Sequence, residues 1–299
     1  MYHDFRMMQV DVFAAGPLEG NALSVVLDSR GLHVDEMQAL ARETNLSETA
    51  FVIRNDVANE RAAGIRVRIF TTREELPFAG HPTLGAAWAI REELAPLRPP
   101  EVVLSLGVGR VRVRFEDAGP DGVPFAEMVQ PDPTFGPALP AAEVAVALGL
   151  APEALDPALP AQVVSTGLPF AIVPLRDLAT AQALAFDPRR AEPWLAAQGA
   201  RFCYFVTREA VDPAARLHAR MLFYNGEDPA TGSAAGCAAA WAVAHGVAAS
   251  GERFLIEQGL EARRPSRLHV SAARDGDRVV DVRVGGGVVP VLKGTWTLG

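Results

Sequence analysis

Two segments of this chain share one short design, in which an acidic residue leads through proline and glycine into an alanine-rich run that ends in tryptophan. Residues 75–88 read ELPFAGHPTLGAAW, and residues 225–241 read NGEDPATGSAAGCAAAW. Gly80 lies eight residues before the tryptophan of its segment, and Gly232 lies nine residues before the tryptophan of the other. A repeat of this kind predicts two related lobes, each of which presents a helix N-terminus to a shared cleft.

The small side chains of the second segment favour a binding role for its backbone. Gly232 and Ser233 are followed by two alanines, so the helix start carries little side-chain bulk. Backbone N–H groups at such a start can approach an anion or a developing oxyanion closely, and the helix dipole favours negative charge there. Asp228 lies beside the loop as a candidate proton carrier. The alternative is an ordinary Asp-Pro turn.

Composition excludes several classes of partner. The 299 residues carry a formal net charge of −8, and no run of Lys and Arg is present, which argues against nucleic acid and anionic membranes. The two cysteines suggest neither a zinc site nor a required disulfide. No secretory leader is evident, and no apolar run approaches the roughly 18 residues of a membrane span. We therefore expect a cytoplasmic protein.

The hydrophobic pattern predicts a mixed α+β fold. Residues 65–70 (IRVRIF) and 108–115 (VGRVRVRF) alternate apolar side chains with Arg, as strands with one buried face do. Residues 34–44 read as an amphipathic helix, and longer helices are expected over residues 83–94 and 233–245. Many strands with one main helix per half favour α+β over a doubly wound parallel sheet.

The chain is expected to cross from the first lobe to the second in the Pro- and Gly-rich segment 118–140. The strand-like closing segment 288–298 is expected to return to the first lobe, because chain ends often meet. The predicted division is therefore residues 1–125 plus 287–299 for the first lobe and residues 126–286 for the second.

Three further residues are candidates for the site. Glu43 is placed at a helix C-terminus, where the dipole favours its protonated form and suits it to proton transfer. His81 lies between Gly80 and Pro82 at a helix start, where it can donate to a substrate oxygen. Asn21, in a turn before a strand, can hold a substrate amine or carboxylate. The structural alternatives are a solvated Glu, a packed His and a turn Asn.

Taken together, four ordered segments resemble the PhzF-like isomerases of phenazine biosynthesis, which share the diaminopimelate epimerase fold. They are DVFAAGPLEGNALSVV, ARETNLSETAFV, IFTTREELPFAGHPTLGAAW and EDPATGSAAG, and the later EQGLEARRPSRLHV is also similar. The resemblance implies two pseudo-symmetric lobes, each a β-barrel-like sheet around a central helix, with the active site in the cleft between. It further implies a homodimer that moves a proton on a small organic acid without cofactor or metal.

The resemblance also implies roles for individual residues. The glutamate that shuttles the proton in the family is matched to Glu43, its active-site histidine to His81, and its second-loop aspartate and serine to Asp228 and Ser233. Asn21 is matched to a substrate contact of the wider fold. The amides near Gly80 and Gly232 are expected to hold a substrate oxygen.

Two alternatives remain open. One is a racemase or epimerase of an amino or hydroxy acid that uses carboxylate and His, because the first loop has no Cys and Cys237 lies one turn into the second helix. The other is a small-acid-binding protein without turnover. Three proton-carrying side chains argue against the second, since binding an anion needs none of them.

Overall fold

A computed structural model describes residues 2–95 and 97–299 of the chain. The contacts between Cα atoms divide it into two compact units. The first comprises the residues up to Val129 together with Gly285–Gly299, and the second comprises Gln130–Val284.

The first part of the chain alternates strands with helices. Its elements are β1 His3–Val12, β2 Asn21–Val26, α1 Val34–Thr44, β3 Glu48–Ile53, α2 Val57–Ala63, β4 Ile65–Phe70, β5 Glu75–Leu76, α3 Gly80–Glu93, β6 Glu101–Leu106, β7 Gly109–Glu116 and β8 Phe125–Val129.

The remainder follows the same alternation and ends in a long strand. Its elements are β9 Thr134–Leu139, α4 Ala141–Leu148, the 3₁₀ turn Pro152–Ala154, β10 Ala161–Ser165, β11 Pro169–Pro174, α5 Leu178–Gln182, α6 Pro188–Ala197, β12 Phe202–Thr207, β13 Ala215–Arg220, β14 Leu222–Phe223, β15 Gly226–Glu227, α7 Gly232–Ala244, β16 Phe254–Gln258, β17 Ser266–Asp275 and β18 Arg278–Leu298.

The first unit is a closed barrel of eight strands around helix α3. The strands follow the order β1-β2-β3-β4-β6-β7-β8-β18, and β18 closes the circle by pairing antiparallel with β1, from His3 opposite Leu298 to Val12 opposite Val288. Every residue of α3 from Gly80 to Arg91 is buried, and the helix contacts β1, β2, β3, β6, β7 and β8. A helix that is buried all round belongs in the interior of its unit.

The second unit also arranges eight strands against a central helix, α7. Its sheet follows the order β9-β10-β11-β12-β13-β16-β17-β18, and α7 contacts β10, β11, β12 and β17. Every residue of α7 from Gly232 to Val243 is buried. The predicted α+β class, with a barrel-like sheet around a central helix in each unit, is therefore confirmed.

The central helices begin at the glycines of the two repeated segments. Helix α3 begins at Gly80, three residues before the predicted start, so His81 and Pro82 lie in its first turn. Helix α7 begins at Gly232, one residue before the predicted start. The repeat in the sequence thus marks equivalent positions in the two units.

Several elements differ from the sequence-based prediction. Segment 118–140 was predicted as a crossing, yet it contains β8 and β9. The pairing of β8 with β7 and of β9 with β10 outweighs the turn-forming tendency of Pro and Gly, and local composition does not reveal this pairing. Helices α2, α4, α5 and α6 were also not predicted, because they are short.

Strand β18 passes without interruption through Gly285-Gly286-Gly287 and so begins before the closing segment predicted over residues 288–298. A Cβ atom added to Gly285 would lie 2.5 Å from the Phe125 ring, and one added to Gly287 would lie 2.1 Å from the carbonyl oxygen of Ala14. The glycines therefore allow close approach of neighbouring chain segments rather than a turn.

Candidate functional site

The first turn of α3 presents backbone donors. Its N-cap residue Ala79 has no capping side chain, and the first helical hydrogen bond runs from the amide of Thr83 to the Ala79 carbonyl, at 3.2 Å. The amides of Gly80 and His81 therefore have no partner inside the helix, and Pro82 has no N–H to satisfy. Together with the helix dipole, these amides form a site suited to an anion.

The first turn of α7 has the same character. The side chain of its N-cap residue Thr231 makes no capping hydrogen bond, and the first helical bond runs from Ala235 to the Thr231 carbonyl, at 2.9 Å. The amides of Gly232 and Ser233 thus have no partner inside the helix. Ser233 is itself buried, so its hydroxyl lies at the covered end of the helix.

His81 lies beside a glutamate that the sequence analysis did not select. Its Nε2 atom is 3.6 Å from Oε2 of Glu48, whose side chain is 12% exposed. No described residue makes a hydrogen bond to this Nε2 atom, which is buried. Burial lowers the pKa of His81 to about 3, so the imidazole is neutral near pH 7. The contact is therefore a carboxyl group beside a neutral imidazole, not an ion pair.

Glu48 and Glu43 occupy different surroundings. Glu48 is the first residue of β3, directly after the turn that ends α1, and it pairs with Leu23 of the parallel strand β2. Glu43 lies in the last turn of α1 with an exposed side chain. A proton carrier needs a defined position against its substrate and shielding from bulk water. The geometry thus favours Glu48 over Glu43 for that role.

Asn21 follows a loop whose backbone is strained. It is the first residue of β2, is 2% exposed and lies opposite Val12 of β1. In the preceding loop Phe13 and Leu18 both have positive φ angles, of 63° and 69°. Such conformations cost free energy in non-glycine residues and are concentrated at functional sites.

Hydrogen bonds to acidic side chains hold that loop in place. The Leu18 amide donates to Oδ2 of Asp11 at 2.7 Å, and the Ala15 amide donates to Oε2 of Glu19 at 3.1 Å. The loop that leads to Asn21 is therefore built to keep one shape.

Asp228 is buried at the start of the second loop, residues 228–231 between β15 and α7, and neighbouring residues hydrogen-bond to it. Its Oδ2 atom accepts a hydrogen bond of 2.6 Å from the Thr231 hydroxyl, and its backbone amide donates to the carbonyl of Met221 at 2.9 Å. The side chain of Gln258 donates to its carbonyl oxygen at 2.7 Å. The structure therefore places Asp228 beside the first turn of α7, three residues before its N-cap.

Gln130 supports α7 from within the second unit. Its Nε2 atom donates to the carbonyl of Gly232 at 2.9 Å, and its Oε1 atom accepts from the Thr166 hydroxyl at 2.6 Å. A Cβ atom on Gly236 would lie only 1.9 Å from that Oε1 atom. Gly236 is therefore needed for the close approach of Gln130 to the helix.

Neither cysteine is a reactive thiol. Both are free and buried. Burial raises the pKa of Cys237 to about 11, even though a hydrogen bond with Thr166 opposes this, and burial also raises the pKa of Cys203. Thiols held in the protonated form are poor bases and nucleophiles, which argues against racemisation by a pair of thiols.

Among residues 2–95 and 97–299, no group of three or more His, Cys, Asp and Glu side chains is arranged to hold a metal ion. In the same part of the chain, no helix is long and apolar enough to cross a membrane.

In each unit, then, the structure combines a buried central helix, free amides at its N-terminus and a carboxyl group near that end that is at least largely shielded from solvent, as a class of proton-transferring isomerases and epimerases would require. The sequence profile of the phenazine biosynthesis-like (PhzC-PhzF) proteins matches residues 10–294. The chain belongs to this family of PhzF-like isomerases.

Individual relatives agree with this assignment. An uncharacterised isomerase of Mesorhizobium japonicum is 38% identical, over 95% of this chain and 96% of the relative. Trans-2,3-dihydro-3-hydroxyanthranilate isomerase of Pseudomonas aeruginosa is 35% identical, over 97% of this chain and 98% of the relative. A solved structure from P. aeruginosa, described as a predicted epimerase, has a TM-score of 0.83 and 37% identity, covering 98% of this chain and 99% of that one.

Proposed function

We propose that this protein is a cofactor-independent isomerase that moves a proton between two carbon atoms of a small organic acid by general acid and base catalysis. The observation that supports it best is the shielded carboxyl group of Glu48, 3.6 Å from the neutral His81 at the N-terminus of α3. A carboxyl group in such a setting can accept a proton from a C–H group and return it.

In the proposed reaction Glu48 carries the proton. Its carboxylate takes the proton from carbon, and the electron pair of that C–H bond moves into the neighbouring π system to give an enolate. The carboxylic acid so formed then protonates a different carbon on the same face. One side chain serves both steps, because the product of the first step is the acid that the second requires. Because burial lowers the pKa of His81 to about 3, the imidazole is a poor base, and it acts as a hydrogen-bond donor.

We further propose that residues of both units act on one substrate. The free amides of Gly80 and of Gly232 with Ser233 hold its carboxylate or its developing enolate oxygen, as donors preorganised for negative charge. Asp228 and Asn21 bind its polar groups. Replacement of a residue in either unit, such as Asn21→Ala or Asp228→Asn, should then impair turnover of the same compound.

The substrate to test first is trans-2,3-dihydro-3-hydroxyanthranilate, which the named P. aeruginosa relative isomerises. Proton NMR in D₂O would follow both the shift of the double bond and the uptake of deuterium. Conversion by the wild type and loss of conversion in Glu48→Gln would support the proposal. Near-normal conversion by Glu48→Gln would overturn the assignment of the proton carrier.

The same spectra separate the two alternatives. Deuterium uptake at one carbon with inversion and without a moved double bond would indicate a racemase or epimerase that uses a carboxylate. Tight binding across a panel of small unsaturated and amino acids, with no exchange in any of them, would indicate a binding protein. Turnover that is unchanged by dialysis against a chelator would support metal independence.

The family resemblance also leads us to propose a homodimer that acts in the cytoplasm. Size-exclusion chromatography with light scattering tests the first statement, since the 31.8 kDa chain should elute as a particle of twice that mass. Fractionation of the producing cells tests the second.

A further inference from the structure

We infer that Gln258 is a positioning residue, which fixes the direction of a hydrogen-bond relay through Thr231 to the carboxylate of Asp228. This inference rests on the role proposed above for Asp228. The Gln258 side chain is fully buried at the end of β16, and Asp228 and Thr231 are 5% and 7% exposed. The relay therefore operates in an environment of low dielectric, where hydrogen bonds are strong and unpaired polar groups are costly.

The orientation of the Gln258 side-chain amide follows from its contact with a backbone N–H group, which can only donate a hydrogen bond. The backbone N–H of Thr231 can only donate, and its nitrogen lies 3.1 Å from Oε1 of Gln258. That atom is therefore the carbonyl oxygen and not the amide nitrogen. The hydroxyl of the fully buried Tyr204 lies 2.9 Å from the same oxygen and donates to it as well.

The nitrogen of the Gln258 side-chain amide must then donate both of its hydrogen bonds. This Nε2 atom lies 2.7 Å from the carbonyl oxygen of Asp228 and 3.0 Å from Oγ1 of Thr231. All four hydrogen-bonding positions of the Gln258 amide are thus used, as expected for a buried polar group.

This arrangement sets the direction of the next hydrogen bond. Because Oγ1 of Thr231 accepts from Gln258, its own hydrogen is directed to Oδ2 of Asp228, at 2.6 Å. A hydroxyl that donates to a carboxylate stabilises the ionised form. Gln258 thus favours the ionised form of Asp228 and fixes one orientation of its carboxylate, acting through Thr231.

The neighbouring residue shows how β16 is divided between two tasks. Glu257 forms a hydrogen bond of 2.8 Å with Nδ1 of His218, and its carboxylate accepts hydrogen bonds from the backbone amides of Val211 and Asp212. Successive side chains of a strand point to opposite faces. Glu257 therefore fixes the strand on one face, while Gln258 positions the second loop on the other.

Kinetics of three variants test the relay. Thr231→Val removes the hydroxyl at almost constant volume, and Gln258→Leu removes the amide. Both should lower kcat/KM by about 10- to 100-fold, the equivalent of a hydrogen bond to a charged group, with most of the loss in kcat. The acid limb of the pH–rate profile should move to higher pH. Thr231→Ser keeps the hydroxyl and should retain most of the activity.

A matched control separates positioning from stability. Gln162 is another glutamine of the second unit, with hydrogen bonds to the carbonyl of Gly136 at 2.7 Å and to His245 at 2.8 Å. Gln162→Leu removes two side-chain hydrogen bonds from the same unit and should destabilise the protein, but it should leave the pH–rate profile unchanged. A profile that moves equally in this control would overturn the relay.

A measurement without turnover distinguishes failure of the relay from failure of the proposed function. Carbon-13 NMR of labelled carboxyl groups follows the titration of Asp228 in the folded protein, with Asp228→Asn used for assignment. The titration midpoint should rise by about one pH unit or more in Thr231→Val and Gln258→Leu. An unchanged midpoint overturns the relay whether or not the protein turns over a substrate, whereas a raised midpoint with no turnover contradicts only the function.

Discussion

The Nε2 atom of His81 lies 3.6 Å from Oε2 of Glu48, at the N-terminus of the central helix of the first unit. The two side chains come from segments more than thirty residues apart, and the barrel brings them together by placing the start of β3 near the start of α3. Burial keeps the imidazole neutral near pH 7. This pair is the basis of the proposed proton transfer.

The neutral state of His81 predicts a loss of stability in acid. Burial lowers its pKa in the folded protein to about 3, whereas the ordinary value is 6.5. Below pH 6.5 the imidazole of His81 therefore binds a proton in the unfolded chain but not in the folded chain. The folded state thus loses stability relative to the unfolded state as the pH falls toward 3. By pH 4 this should cost about 3 kcal/mol relative to pH 7.5.

Urea unfolding of the wild type and His81→Asn at several pH values tests this. Both proteins share the remaining acidic groups, so their difference isolates the histidine. The variant should gain stability relative to the wild type as the pH falls. A constant difference between pH 7.5 and pH 4 would show that His81 is not held neutral.

His218 in the second unit predicts the opposite dependence. It is fully buried between Glu257, at 2.8 Å, and Glu261, at 3.2 Å. Burial alone would lower its pKa, but the hydrogen bond to Glu257 and the nearby carboxylate of Glu261 outweigh this effect and raise the pKa to about 9. Since the folded pKa is above the unfolded value of 6.5, the stabilisation is complete below pH 6.5 and is lost as the pH rises through 9.

The expected loss between pH 6 and pH 9 is on the order of 3 kcal/mol. It should be seen as a fall in the free energy of unfolding of the wild type relative to His218→Gln, whose side chain does not titrate. If the two proteins lose stability in parallel over this range, the charged state of His218 is not what holds the cluster.

Gly236→Ala should destabilise the second unit. The added Cβ atom would meet Oε1 of Gln130 at 1.9 Å, and Gln130 cannot move freely because it is bonded to Gly232 and Thr166. Overpacking costs about 1 to 3 kcal/mol, and the better helix propensity of alanine offsets up to about 1 kcal/mol of it. A net loss of about 1 to 2 kcal/mol in urea unfolding is expected.

Gly136→Ala is the matched control for this change. Its added Cβ atom would lie 3.4 Å from Cβ of Val163, an ordinary contact, so stability should change by about 0.5 kcal/mol or less. Equal effects of the two substitutions would show that the approach of Gln130 to α7 is not a constraint.

The central helices were predictable because their sequence pattern is local and repeated. Gly80 and Gly232 mark both helix starts, and uniform small or apolar side chains mark helices buried on all sides. The continuous course of β18 was not predictable, since the reason for Gly285 and Gly287 lies in Phe125 and Ala14, which are far away in sequence.

The site was predictable only in part. The amides at the helix N-termini could be placed from the Gly-rich segments. The sequence could not decide which of two glutamates, five residues apart, is the better candidate for the proton carrier. Glu43 is exposed, whereas the side chain of Glu48 is 12% exposed and lies 3.6 Å from Nε2 of His81. The position of Glu48 depends on how β3 packs in the barrel. The available signal was that Glu48 follows the polar turn and begins a buried strand, which fixes its position more firmly than a helix end does.

The most direct test of the account compares Glu48→Gln with Glu43→Gln by proton NMR in D₂O, using trans-2,3-dihydro-3-hydroxyanthranilate and a panel of related small acids. Each substitution removes one carboxylate at constant size. We expect Glu48→Gln to lower turnover and deuterium uptake at least about 100-fold while it still binds ligand, and Glu43→Gln to stay within about threefold of the wild type. Loss of turnover in Glu43→Gln with near-normal activity in Glu48→Gln would contradict the account.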